Sequence, residues 1–142
     1  VLDRDVLSVV QIDHADLVHV AHREMTELAR RVDLFRRGTQ LPYFAGRTVI
    51  LVDDGIARGN TMRAAIRGVK KRAPGHLVVA VPVAALQTVA ALRREVDEVV
   101  CLHEPPDLEA VALWYEDFRQ VPDAQVLRIL EDARRRREET VS

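Results

Sequence analysis

The sequence holds one cysteine, Cys101, so no disulfide can form within the chain and a cystine-stapled scaffold is excluded. Such sparing use of cysteine suits a reducing compartment. Aromatic residues are also scarce, at 4% of 142 positions, which makes the grouping of Trp114, Tyr115 and Phe118 conspicuous. Charge of one sign is lacking too: the formal net charge is −1. Nothing global therefore draws the protein to nucleic acid or to an anionic membrane, and any affinity for anions has to be local. No apolar run approaches the roughly 20 residues that cross a bilayer, and no signal-peptide pattern opens the chain. The expectation is a soluble, cytoplasmic protein with neither nucleic-acid nor membrane partners.

What is present is a balanced globular composition, 48% apolar and 30% charged, in a length that suits one domain covering residues 1–142. From Asp13 onward, Leu17, Ala21, Met25, Leu28, Val32 and Phe35 recur at steps of three and four. That spacing predicts a helix with one buried stripe, capped at Asp13 and stopped near Gly38. Val49 to Val52 is an unbroken apolar run, expected to be a strand covered on both faces. A helix follows from Thr61 to Arg72, with Met62, Ala65, Ile66 and Val69 inward and Arg63, Arg67, Lys70 and Lys71 outward; Pro74 and Gly75 end it. The alternation continues with a strand from Leu77 to Val83, a helix from about Leu86 to Glu95 and a strand from Glu98 to Leu102. Pro122 and Asp123 open a last helix with Val126, Leu127, Ile129, Leu130 and Ala133 inward. Regular alternation of this kind predicts a three-layer α/β/α, Rossmann-like domain with a mainly parallel sheet, its crossovers on a consistent side.

In such sheets ligands bind beyond the carboxyl ends of the strands. The residues just past Val52 are Asp53, Asp54, Gly55, Ile56, Ala57, Arg58, Gly59, Asn60 and Thr61. Two carboxylates there can accept hydrogen bonds from sugar hydroxyls or hold a divalent cation. Main-chain amides from Gly59 to Met62, at the positive end of a helix dipole, suit a phosphate, and Gly59 lets the backbone come close to it. A sugar diol and a phosphate a short distance apart describe a ribose 5-phosphate.

The run VILVDDGIARGNT, Val49 to Thr61, resembles the phosphoribosyl-diphosphate motif of type I phosphoribosyltransferases: an apolar strand, two acids, a short loop with a Thr-Gly pair and a Thr at the helix start. Asp53, Asp54, Gly59 and Thr61 match. AVPVAA (Ala80 to Ala85), EVVCL (Glu98 to Leu102) and LWYEDF (Leu113 to Phe118) are similar to a bacterial branch of that family. The resemblance implies transfer of a phosphoribosyl group from 5-phosphoribosyl 1-diphosphate to a nitrogenous base. Asp53 and Asp54 would bind the ribose hydroxyls, directly or through Mg2+, and favour the oxocarbenium-like transition state. Gly59, Asn60 and Thr61 would cradle the 5-phosphate, and Mg2+ would neutralise the leaving diphosphate.

Two departures shape the expectation. Arg58 stands where the family has Thr, replacing a compact hydroxyl by a guanidinium that also pairs with phosphate. The family's first strand and its pyrophosphate loop belong before the helix at Asp13, and only Val1 and Leu2 precede Asp3, so those elements are expected to be missing. An apolar strand edge left open in this way recruits partners, and a homodimer or larger assembly is expected.

The plainer readings are set beside these. Acids at a strand end also occur in ordinary turns that cap a helix, and a fold can be kept as a non-catalytic sensing or scaffolding module. A receiver-like domain needs an Asp at the end of a later strand, and neither Val83 nor Leu102 is followed by one. His14, His19 and His22 lack a fitting carboxylate or thiol partner and read as solvated rather than zinc-binding. Cys101 reads as a small apolar residue, Trp114 and Tyr115 as either an acceptor-stacking surface or core, and Arg134 to Arg137 as a solvated helix end.

Overall fold

A computed structural model of the protein describes residues 14–141. The expected cap at Asp13, and the elements expected to be missing before it, lie outside the described residues. The described elements are α1 (His14–Arg36), β1 (Thr48–Val52), α2 (Asn60–Lys70), β2 (His76–Val83), α3 (Leu86–Leu92), β3 (Glu98–His103), a 3-10 helix (Val111–Trp114) and α4 (Asp123–Val141). They form two compact units, one spanning Pro42–Phe118 and the other made of 14–41 and 119–141. No described helix is long and apolar enough to cross a membrane.

The unit Pro42–Phe118 is the α/β part that the alternation predicts. Its three strands are parallel, in the order β1-β2-β3, with Val49 opposite Leu77 and Val79 opposite Val99. When strands adjacent in sequence are adjacent in a parallel sheet, right-handed crossovers put both connecting helices on the same face. Met62, Ile66 and Val69 of α2 and Val89 and Leu92 of α3 accordingly share one core with Leu77, Val79 and Val81 of β2. Alternation along the strand turns Ile50 and Val52 to the other face, where they are 58% and 74% exposed. The expectation that this run is covered on both faces is therefore not met: its apolar residues are continuous, but the helices of its unit lie on one side only. Ala65, expected inward, is exposed, because the buried stripe of α2 is confined to Met62, Ile66 and Val69. The helix expected to reach Glu95 ends at Leu92; beyond it the amides of Arg94 and Glu95 turn back onto the carbonyls of Ala91 and Leu92.

The second unit pairs α1 with α4. Arg30 donates to Asp123 at 3.0 Å, Arg37 pairs with Glu131, and Arg134 donates to the Phe35 carbonyl and the Thr39 hydroxyl. Arg134, expected in a solvated helix end, thus secures the end of α1. Glu27 accepts from Arg30 and Arg31, which hold its carboxyl down at about 2. The helices form where the spacing predicts, but Met25, Leu28, Val32, Ile129 and Leu130 are exposed. A stripe is buried only when a surface meets it, and two helices alone leave much of each stripe uncovered.

Candidate functional site

β1 ends at Val52, opposite Ala80 of β2, and Asp53 and Asp54 follow directly. The loop that follows is anchored at its middle. Ile56 is buried and bridges Ala84 in parallel fashion; its N–H donates to the Val83 carbonyl at 2.9 Å and its carbonyl accepts the Ala85 N–H at 3.0 Å. The loop is thereby divided into two short arches, one holding Asp54 and Gly55, the other Ala57 and Arg58.

Gly59 closes the second arch at φ 78°, ψ 7°, in the left-handed region that glycine enters without strain, and α2 starts at Asn60. Gly59 offers the first-turn amides of α2 no side-chain acceptor, and those amides carry the positive end of the helix dipole. A Cβ on Gly59 would stand 2.9 Å from the Thr88 methyl, and one on Gly55 would stand 2.6 Å and 2.8 Å from the two methyls of Val111. Glycine is needed at both places because neighbouring elements close in behind the loop.

A cavity of about 310 Å³ opens at this turn, lined by Asp53 and by Gly55 to Met62. Among the residues singled out from the sequence, Asp53, Gly55, Ile56, Ala57, Arg58, Gly59, Asn60 and Thr61 thus meet around one concavity. Asp54 does not line it; its side chain is exposed. Asp53 is half-buried, and its Oδ1 accepts the Asp54 N–H at 3.0 Å.

Around the outside of the loop stand groups that periodicity alone does not reveal. Thr88 of α3, the one buried polar residue among those described, donates from Oγ1 to the Ala57 carbonyl at 2.6 Å. Arg63, expected outward, reaches back: Nη1 donates to the Arg58 carbonyl at 3.2 Å and Nε to Glu95 at 2.9 Å. Tyr115 donates its hydroxyl to the Asp54 carbonyl at 2.6 Å and tilts its ring against Phe118. Trp114 is partly exposed and tilts against His103, with ring centres 5.7 Å apart. The signal that could have found Thr88 is its polarity within an otherwise apolar helical stripe; nothing local marks the role of Arg63.

The phosphoribosyl transferase domain family model matches residues 3–114. The chain belongs to that family. Two Mycobacterium tuberculosis proteins, named "Putative phosphoribosyl transferase MT0597" (strain CDC 1551 / Oshkosh) and "Putative phosphoribosyl transferase Rv0571c" (strain H37Rv), are each 37% identical over 135 residues, covering 95% of this chain. The chain spans only 30% of the length of each of these relatives. The crystal structure of TT1426 from Thermus thermophilus aligns with a TM-score of 0.69 and 39% identity over 92% of this chain and 61% of that one. The phosphoribosyl transferase match takes in the acid pair, the Gly59 turn and Trp114, but not α4.

The remaining candidates lie elsewhere or do less. His19 and His22 share a concavity of α1 with Arg23, Thr26, Glu27 and Arg30. Among the described residues no group of three or more His, Cys, Asp or Glu side chains could hold a metal ion. The side chain of His14 lies outside the described set. Cys101 is half-buried with Sγ 3.2 Å from the His103 carbonyl, and burial pushes its thiol up.

Proposed function

We propose that this chain binds 5-phosphoribosyl 1-diphosphate at the Asp53 to Thr61 turn and serves, in the cytoplasm, the transfer of the phosphoribosyl group to a nitrogenous base. The observation that carries this reading is the left-handed Gly59 turn, which brings the N-terminus of α2 to the same cavity as Asp53. A phosphate suits the first and a ribose hydroxyl the second. In the transfer, the bond from C1 of the ribose to the diphosphate oxygen breaks, the diphosphate leaves with the electron pair, and a ring nitrogen of the base bonds to C1 and gives up its proton. The negative charge of Asp53 and Asp54 would favour the cationic character that develops at C1.

The donor set fits Mg2+ only in a particular way. Among the described residues no third carboxylate, His or Cys joins Asp53 and Asp54, which suits an ion held mostly through water rather than by a protein cage. Asp53 and Asp54 would hold that ion, which when bound neutralises the departing diphosphate. Trp114, partly exposed beside His103, is the residue proposed to stack on the acceptor base. Tyr115, the other residue expected in that role, donates its hydroxyl to the Asp54 carbonyl and tilts its ring against Phe118.

Calorimetric titration of phosphoribosyl diphosphate with Mg2+ tests the reading. Binding is expected in the wild type and its loss, by at least about a hundredfold, in the Asp53→Asn, Asp54→Asn double variant, since each charged hydrogen bond is worth about 1.5–3 kcal/mol. Undiminished binding in that variant would sink the assignment. Arg58 in place of the usual Thr favours a second reading, donor binding without transfer; product formation with a panel of bases separates the two. β1 also ends the described sheet on one side, and we propose that a second copy covers this open edge. Light scattering should then give at least twice the monomer mass, and a monomer at all concentrations contradicts it.

A further inference from the structure

We infer that Thr88, Tyr115 and Arg63 are positioning residues that aim the amides of the phosphate-binding loop, an inference that rests on the proposed function. Each donates to a different carbonyl of the loop, and each comes from a different part of the fold. Tyr115, just past the 3-10 helix, holds the Asp54 carbonyl; Thr88, on α3, holds that of Ala57; Arg63, on α2, holds that of Arg58. No peptide bond among the described residues is cis. In a trans peptide the carbonyl and the following N–H point in opposite directions across one rigid plane, so fixing the first fixes the second.

The N–H groups of Gly55, Arg58 and Gly59 are therefore turned away from the three donors. All three residues line the cavity. The bonds of Ile56 do not hold these three peptide planes, and an anion would otherwise have to order them on binding at an entropic cost. The grip from outside removes that cost in advance. It also explains the burial of Thr88, whose hydroxyl donates to the loop while its methyl closes on Gly59. Glu95 in turn fixes the Arg63 guanidinium, so that this contact does not depend on a freely moving side chain.

The test is calorimetric titration of the 142-residue chain with ribose 5-phosphate, together with thermal unfolding in its absence. Thr88→Val keeps the shape and removes the donor, Thr88→Ser keeps the donor, and Tyr115→Phe removes only a hydroxyl. Thr88→Val and Tyr115→Phe are each expected to weaken binding about tenfold, the worth of one well-placed hydrogen bond. Thr88→Ser should stay within about twofold of the wild type, so that the loss follows the hydroxyl rather than the packing. If Thr88→Val does not fold, the comparison of Tyr115→Phe with wild type decides. A wild type that fails to bind ribose 5-phosphate would remove the proposed function and this inference together. A wild type that binds, with Thr88→Val and Tyr115→Phe binding equally well or Thr88→Ser as weak as Thr88→Val, overturns the positioning role and leaves the proposed function standing.

Discussion

Gly59→Val is expected to abolish measurable binding of phosphoribosyl diphosphate and to lower unfolding stability by about 2–5 kcal/mol. Two independent costs meet at this residue. Its φ of 78° lies in the left-handed region, where a side chain costs about 1–2 kcal/mol and a β-branched one is a true outlier. A Cβ would also stand 2.9 Å from the Thr88 methyl, on a buried residue of α3, and overpacking of that kind costs about 1–3 kcal/mol. The loop can escape both only by leaving the left-handed turn, which rotates the first amides of α2 out of the cavity. Urea unfolding and calorimetry read the two effects separately. Stability and affinity both equal to wild type would show that the Gly59 turn is not what sets the loop.

Leu92→Ala is expected to cost about 2–5 kcal/mol without altering the architecture, the range seen for truncating a leucine in a closed core. Leu92 is 0% exposed and joins Ile66 of α2, Val79 of β2 and Val89 of α3 in one cluster. It is the last residue of α3, and the chain turns back directly after it, so the surroundings have little freedom to collapse into the space. Because Thr88 lies one turn earlier on the same helix, donor binding should weaken as well. Denaturant unfolding should show a lower midpoint with an unchanged slope; a midpoint within error of wild type would mean that this helix does not close the core.

The parallel sheet was legible because each strand is a compact apolar run and because helical spacing separates the runs. Val49 to Val52, Leu77 to Val83 and Glu98 to Leu102 each fall within one residue of the strands observed. What sequence could not supply is which face of a strand is covered. Ile50 and Val52 are as apolar as Val49 and Leu51, and only the placement of α2 and α3 on one side distinguishes them. The same limit applies to α1 and α4, whose stripes are plain in the spacing yet stay exposed at Met25, Leu28 and Ile129. The Asp53 to Thr61 turn was legible as a local motif because a strand, two acids, a glycine and a helix start lie within a single stretch. The outer ring of Arg63, Thr88 and Tyr115 was not, since its members come from separate elements and meet only through folding. Arg63 shows this most clearly: periodicity assigns it to the surface, and its partner Glu95 lies far along the chain, just past the end of α3.

The proposed donor binding requires a turn that holds a phosphate with main-chain amides and a sugar with Asp53. Following the backbone amide resonances of the ¹⁵N-labelled chain during titration with ribose 5-phosphate tests it most directly. Saturable shifts should concentrate at Gly55 and from Arg58 to Met62, with a smaller change at Asp53 and none along α4. Shifts confined to other parts of the chain, or no saturable shift at Gly59 and Asn60, would contradict it.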